Sequence, residues 1–181
     1  MFAPIWNRVK TAYTTWRDSE EGMAAVESAM IFPVMLTLLV GTFDLGNGIL
    51  ANQKTIRASQ VVADLVTRNN SLTTSGLDEA IEAGELALQP FNTSTFGIDV
   101  VSIRFDDDAN PQIVWRETRN MAPVASILAD VTPLAVPNGG VVVSTVEYQF
   151  QPAFAGFVVD AIQMQEKAFA RGRKTAVINL N

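Results

Sequence analysis

Hydrophobic and polar positions alternate along this chain in three different ways, and the first is a long uncharged run. Ser28 to Phe43 reads S-A-M-I-F-P-V-M-L-T-L-L-V-G-T-F, and extending it back to Met23 admits one charge, Glu27. A helix of about 20 mostly apolar residues is long enough to cross a bilayer. The pattern therefore predicts a single membrane-spanning pass over 23–43. Pro33 frees the carbonyl of Ala29 and predicts a bend, which a membrane helix tolerates.

The second pattern is amphipathic. From Leu45 to Asn69 there is no proline, and Leu45, Ile49, Ile56, Ala63 and Val66 recur on one side at helical spacing. Lys54, Arg57, Asp64 and Arg68 fall opposite, with Asp64 and Arg68 spaced for an i,i+4 ion pair. One helix is thus expected from Met23 to about Asn69, roughly 70 Å long at 1.5 Å per residue. Gly41, Gly46 and Gly48 mark where it would bend or allow another helix to approach.

The third pattern is a set of short segments. Asn69 to Gly76 is polar and turn-forming, and a short helix from Leu77 to Gln89 follows, stopped by Pro90, with Asp78, Glu79 and Glu82 in its early turns. I-D-V-V-S-I-R-F sets Val101, Ile103 and Phe105 on one face of a strand, Q-I-V-W-R supplies a second, and D-D-D-A-N-P joins them as a hairpin loop. A helix is expected over Pro123–Val131. Next, V-V-V-S-T-V-E-Y-Q-F has the clearest strand signal, with Val142, Val146, Tyr148 and Phe150 sharing one face and Thr145, Glu147 and Gln149 the other. Ile162 to Arg171 reads as a strand, although a helical spacing of Phe157, Ala161 and Ala168 fits almost as well. Trp115 and Tyr148 are expected in the core. The fold class is α+β: a long N-terminal helix, then a small antiparallel sheet of three or four strands with short helices.

Composition narrows the chemistry. The chain has neither Cys nor His, which removes disulfides, thiolate nucleophiles, the usual general base and the commonest metal ligands. A catalytic reading would have to rest on carboxylates such as Asp99, Asp106 or Glu147, and nothing in their spacing forms a site. No enzymatic activity, cofactor or metal is expected. Asp106, Asp107 and Asp108 lack the glycine and distant glutamate of a calcium loop and read as a solvated turn. A net charge of −6 argues against nucleic acid as a partner, and Arg171, Arg173 and Lys174 read as a solvated cluster.

Glu27 is the anomaly. Arg8, Lys10 and Arg17 precede the span and put the N-terminus on the cytoplasmic side, although Lys54 and Arg57 beyond it weaken the asymmetry. A secretory signal would have a shorter core and a small-residue cleavage site after it. A plain anchor gains nothing from a carboxylate at the mouth of its apolar run. Cutting between Gly22 and Met23 changes this, because the new α-amino group lies one helical turn from Glu27, in this chain or in a neighbouring subunit.

Gly22 followed by an apolar run with Glu at the fifth position resembles a type IV prepilin processing site. More narrowly, G-M-A-A-V-E-S-A-M-I-F-P-V-M-L-T-L-L-V-G-T-F-D-L-G resembles the TadE-like segment of tight-adherence (Flp-type) pilus systems. Gly22, Ala25, Val26, Glu27, Ala29, Pro33, Gly41, Leu45 and Gly46 match that pattern, and Asp44 replaces its usual Glu. Ser28 departs from it, as do the acidic Glu20 and Glu21 in the leader. Y-Q-F-Q-P-A-F is similar to a Tyr-then-Pro segment of the family's globular domains.

The resemblance implies a pilin-like fold and a minor pilin, or pseudopilin, held in the bacterial inner membrane. Its implied partners are a prepilin peptidase that recognises Gly22 and cuts before Met23, other minor and major pilins, and the inner-membrane assembly platform. The expected organisation is a cytoplasmic leader (1–22), a transmembrane half-helix (23–43), an amphipathic half-helix (44–69) and a periplasmic globular part (70–181). The alternative is an unprocessed, single-pass periplasmic binding or sensing domain.

Overall fold

The computed structural model describes residues 3–17, 20–68, 71–157 and 159–181. It divides after Leu45 into two units, each built on its own part of one continuous helix. The N-terminal unit holds α1 (Ala3–Arg17) and the first half of α2 (Glu20–Thr67). The C-terminal unit, from Gly46, holds the rest of α2. After it come β1 (Ser71–Leu72), α3 (Thr74–Ala87), β2 (Gly97–Phe105), β3 (Pro111–Arg119), α4 (Ile127–Val131), β4 (Gly140–Phe150), β5 (Ile162–Ala170) and β6 (Asn179–Leu180).

Four strands form an antiparallel sheet in the order β3-β2-β4-β5, while β1 and β6 pair in parallel. The central strands β2 and β4 are buried on both faces. On one face Ile98, Val100, Val142, Val146, Tyr148 and Phe150 pack with α2 and α3. On the other, Val101, Ile103, Phe105, Val141 and Val143 pack with Ile127 and Val131 of α4. The architecture is α+β, as the pattern of apolar runs predicts. Val101, Ile103 and Phe105 share a face, as do Val142, Val146, Tyr148 and Phe150, and 162–170 is a strand.

Several local expectations are corrected. Ala63 and Val66 are buried on α2, but Leu45 and Ile49 are 71% and 63% exposed. The buried row is Ala51, Thr55, Ala58, Val62 and Val66, in which small side chains bring the helix close to its neighbours. Helix α2 ends at Thr67, and the expected end at Asn69 lies outside the described residues.

Helix α3 starts three residues before the expected Leu77, because Thr73 caps it by accepting the Gly76 N–H on its hydroxyl. Asp78, Glu79 and Glu82 consequently lie beyond the first turn. Helix α4 is shorter than Pro123–Val131. Residue 124 is tied down instead, its N–H donating to Asp99 and its carbonyl accepting from Arg116. Nor is the C-terminal basic cluster simply solvated: Arg171 donates to the Leu134 carbonyl, and Arg173 pairs with Asp64. The expected Asp64–Arg68 pair is present at 3.3 Å.

Candidate functional site

Residues 22–46 carry the motif, and the first half of α2 sets their geometry. Ala, Met and Leu dominate this stretch and favour helix. The helix runs uninterrupted through Pro33. Its hydroxyls bond back to its own backbone, Thr37 to the Pro33 carbonyl and Thr42 to the Leu38 carbonyl, both at 2.8 Å. Val26, Met30, Phe32, Met35, Leu36 and Leu38 are all exposed, although they point in every direction around the axis. A helix that is apolar all round and exposed is suited to lipid. Met23 to Phe43 covers about 32 Å, close to the thickness of a bilayer's hydrocarbon core. Among the described residues this is the one helix long and apolar enough to cross a membrane.

Gly22 is buried and is the third residue of α2, so the Gly22–Met23 bond is helical. Met23 and Glu27 are both exposed and one turn apart. At about 100° per residue, Met23, Glu27, Gly41 and Leu45 fall within about 40° of one another along one stripe. Val26, Pro33 and Asp44 form a second stripe about a quarter-turn away. Val26, Pro33 and Leu45 are exposed, whereas Asp44 is buried. Ala25 and Gly46, both exposed, lie off the two stripes.

The glycines divide by what surrounds them. A Cβ added at Gly41 or Gly46 would meet nothing within 4 Å, while one at Gly48 would touch the Phe150 ring at 3.4 Å. Contacts among the described residues thus leave Gly41 and Gly46 unexplained.

The carboxylates considered for catalysis are each engaged elsewhere. Asp99 is fully buried on β2 and accepts from Arg116 through two guanidinium nitrogens, from the Thr118 hydroxyl at 3.2 Å and from the Val124 N–H at 3.0 Å. Its position inside the apolar run I-D-V-V was a signal of a buried ion pair. Glu147 accepts from Gln165. Asp106 folds its own loop, accepting N–H bonds from Asn110 at 2.8 Å and Asp108 at 3.0 Å. The Asn110 bond, before all else, holds the Asp106 carboxyl below its usual range.

Sequence reading took the leader only as a source of charge and missed α1. Trp6, Val9 and Tyr13, at i, i+3 and i+7, were the available sign of a helix.

Residues 22–64 match the model of the family described as TadE-like protein, a span that contains every motif position above. No curated protein and no solved structure matches the chain.

Proposed function

We propose that this chain, whose residues 22–64 match the TadE-like family, is a minor pilin of the Tad pilus system that joins or primes a pilus after a prepilin peptidase cuts between Gly22 and Met23. Before cutting, it is anchored in the inner membrane by one pass, with its leader in the cytoplasm and its sheet domain in the periplasm. The observation that carries this reading is the coincidence of the TadE-like segment with an exposed, all-apolar half-helix whose acid lies one turn after the cleavage position.

The chemistry of the cut is electrostatic in its consequences. In the precursor, Glu20 and Glu21 are the first residues of α2, where the helix dipole favours anions. Cleavage removes both and installs an amine at the positive end of the dipole. Glu27 is then the sole carboxylate from Met23 to Phe43. It offsets the amine within its own helix or on the neighbour it docks against. The peptidase has to open the helix around Gly22. First-turn residues lack half of their backbone bonds, and glycine adopts extended geometry readily, so this opening is cheap. Beyond the headgroups, the stripe of Met23, Glu27, Gly41 and Leu45 is the face offered to other pilins.

The test is the mass and first residue of the protein recovered from its host. Mature protein should begin at Met23, and Gly22→Leu should leave it uncut. Glu27→Gln should still be processed but assemble about tenfold less well or worse, because an amine is left unpaired in lipid. A functional protein that keeps its first twenty-two residues overturns the reading in favour of a tethered, unprocessed domain.

A further inference from the structure

The leader is more than a basic tag. Trp6, Val9 and Tyr13 stand on one face of α1, 63%, 55% and 61% exposed. Arg8 and Thr15 lie on the opposite face at helical spacing. Two hydroxyls are occupied by the helix itself, Thr11 donating to the Asn7 carbonyl and Thr14 to those of Lys10 and Thr11. The Lys10 ammonium lies over the Trp6 ring, 5.8 Å from its centroid. The first seventeen residues contain Arg8, Lys10 and Arg17 and no acid, although the whole chain is acidic. Trp and Tyr on an apolar face beside cations are suited to the headgroup layer of a membrane, not to water or hydrocarbon.

We propose that α1 is an interfacial anchor that lies on the anionic cytoplasmic leaflet, its Trp6–Val9–Tyr13 face in the headgroup–acyl boundary and Lys10, beside Trp6, on acidic lipid phosphates. The proposal rests on the single-pass reading above. A helix this short binds lipid weakly when free. Here only residues 18 and 19 separate it from α2, which carries the span. Such a tether keeps the local lipid concentration high and turns a weak affinity into a docked state. Docking fixes the level of Gly22–Met23 at the cytoplasmic surface. It also explains a leader rich in aromatics, which charge-based orientation alone does not require. A protein partner would need a complementary acidic or apolar groove, whereas an anionic leaflet lies within reach wherever the span is inserted.

The absence of native cysteine makes the test direct. Full-length protein carrying one nitroxide, at Val9→Cys, Thr15→Cys or Leu38→Cys, is reconstituted into vesicles of phosphatidylethanolamine with phosphatidylglycerol, and into phosphatidylcholine alone. Accessibility to a water-soluble relaxation agent is then compared with accessibility to oxygen. In the anionic vesicles the label at 9 should be several-fold more shielded from water than the label at 15. Lys10→Gln should lower the docked-to-undocked ratio about fivefold, Arg8→Gln on the opposite face less, and the change to phosphatidylcholine more strongly than either. Trp6→Ser with Tyr13→Ser should free the label at 9 without moving the label at 38. Equal water access at 9 and 15 with a lipid-buried 38 overturns the anchor and leaves the span intact. Shielding at 9 that ignores both lipid charge and the Gln substitutions also overturns it, in favour of a protein contact. A water-exposed 38 overturns the single-pass reading and the anchor with it.

Discussion

Val62 on α2 and Gly84 on α3 meet so closely that a Cβ on the glycine would lie 2.4 Å from a methyl of the valine. Val62 is fully buried, and the Ala58 carbonyl lies 3.5 Å from the same point, so the added carbon has no free space to enter. Gly84→Ala gains about 1 kcal/mol of helix propensity but overpacks the helix–helix contact at a cost of about 1–3 kcal/mol. The expected outcome is a net loss of stability in thermal or urea unfolding. In the Val62→Ala background the same substitution should become neutral or favourable, and a double-mutant cycle reads that coupling.

The carbonyl of Ile178 receives two side-chain donors, Ser102 Oγ and Trp115 Nε1, each at 2.8 Å. Its side chain is buried, and β6 pairs with β1 immediately after it. Ile178→Ala should cost about 2–4 kcal/mol through the cavity it leaves. Ending the chain after Val177 should cost more, because it also strands the Ser102 and Trp115 donors. The excess loss over Ile178→Ala reads the carbonyl together with the β1–β6 pairing that the truncation also removes. Equal losses would show that the carbonyl contributes nothing.

How far the fold was legible depends on how local its determinants are. The long apolar helix, β2, β4 and the Asp106 loop were readable because consecutive residues carry them, as an uncharged run, apolar residues sharing a strand face or a polar hairpin loop. The two-residue β1–β6 pairing was not, because nothing near Asn179 signals a partner more than a hundred residues away. The buried face of α2 was misread for a different reason. Size and hydropathy pointed to Leu45 and Ile49, whereas close approach selected Ala51, Ala58 and the buried hydroxyls of Thr55 and Ser59. Those hydroxyls bond back to their own helix, Thr55 to the Ala51 carbonyl and Ser59 to that of Ile56, and so pack as small apolar groups. The motif positions are consecutive enough to be read from sequence, whereas their arrangement in two adjacent stripes required the helix to run unbroken through Pro33.

Lys167 on β5 holds Asp130 of α4, and the Ser126 hydroxyl donates to the same carboxylate. The Lys167 bond first, and Ser126 second, lower the Asp130 pKa from its ordinary value of 3.8. A carboxyl whose folded pKa is depressed adds stability above its unfolded pKa and loses it as pH falls through the folded one. Asp130→Asn should therefore lower the unfolding midpoint at pH 7. The gap from the parent protein should narrow below pH 3.8 and close once Asp130 is protonated in both states. A gap that persists unchanged in strong acid would assign the effect to packing.

Gly41 and Gly46 present the reverse of the Gly84 case, since a Cβ at either position meets nothing within 4 Å among the described residues. Glycine inside a helix is about 1 kcal/mol less favourable than alanine, so this chain's own stability gives no reason for either. Gly41→Ala and Gly46→Ala should leave the unfolding midpoint unchanged or slightly raised. Gly41 shares the stripe of Met23 and Glu27, and small residues let membrane helices approach closely. Gly41→Ala should therefore reduce assembly into pili or pilin complexes more than Gly46→Ala, which lies off that stripe. Single cysteines placed along the stripe in a chain without native thiols give the measurement: crosslinks from positions 34 and 38 to neighbouring pilins should fall in the Gly41 variant and persist in the Gly46 variant. Equal crosslinking in both would remove the stripe as the contact face and leave Gly41 without a role in assembly.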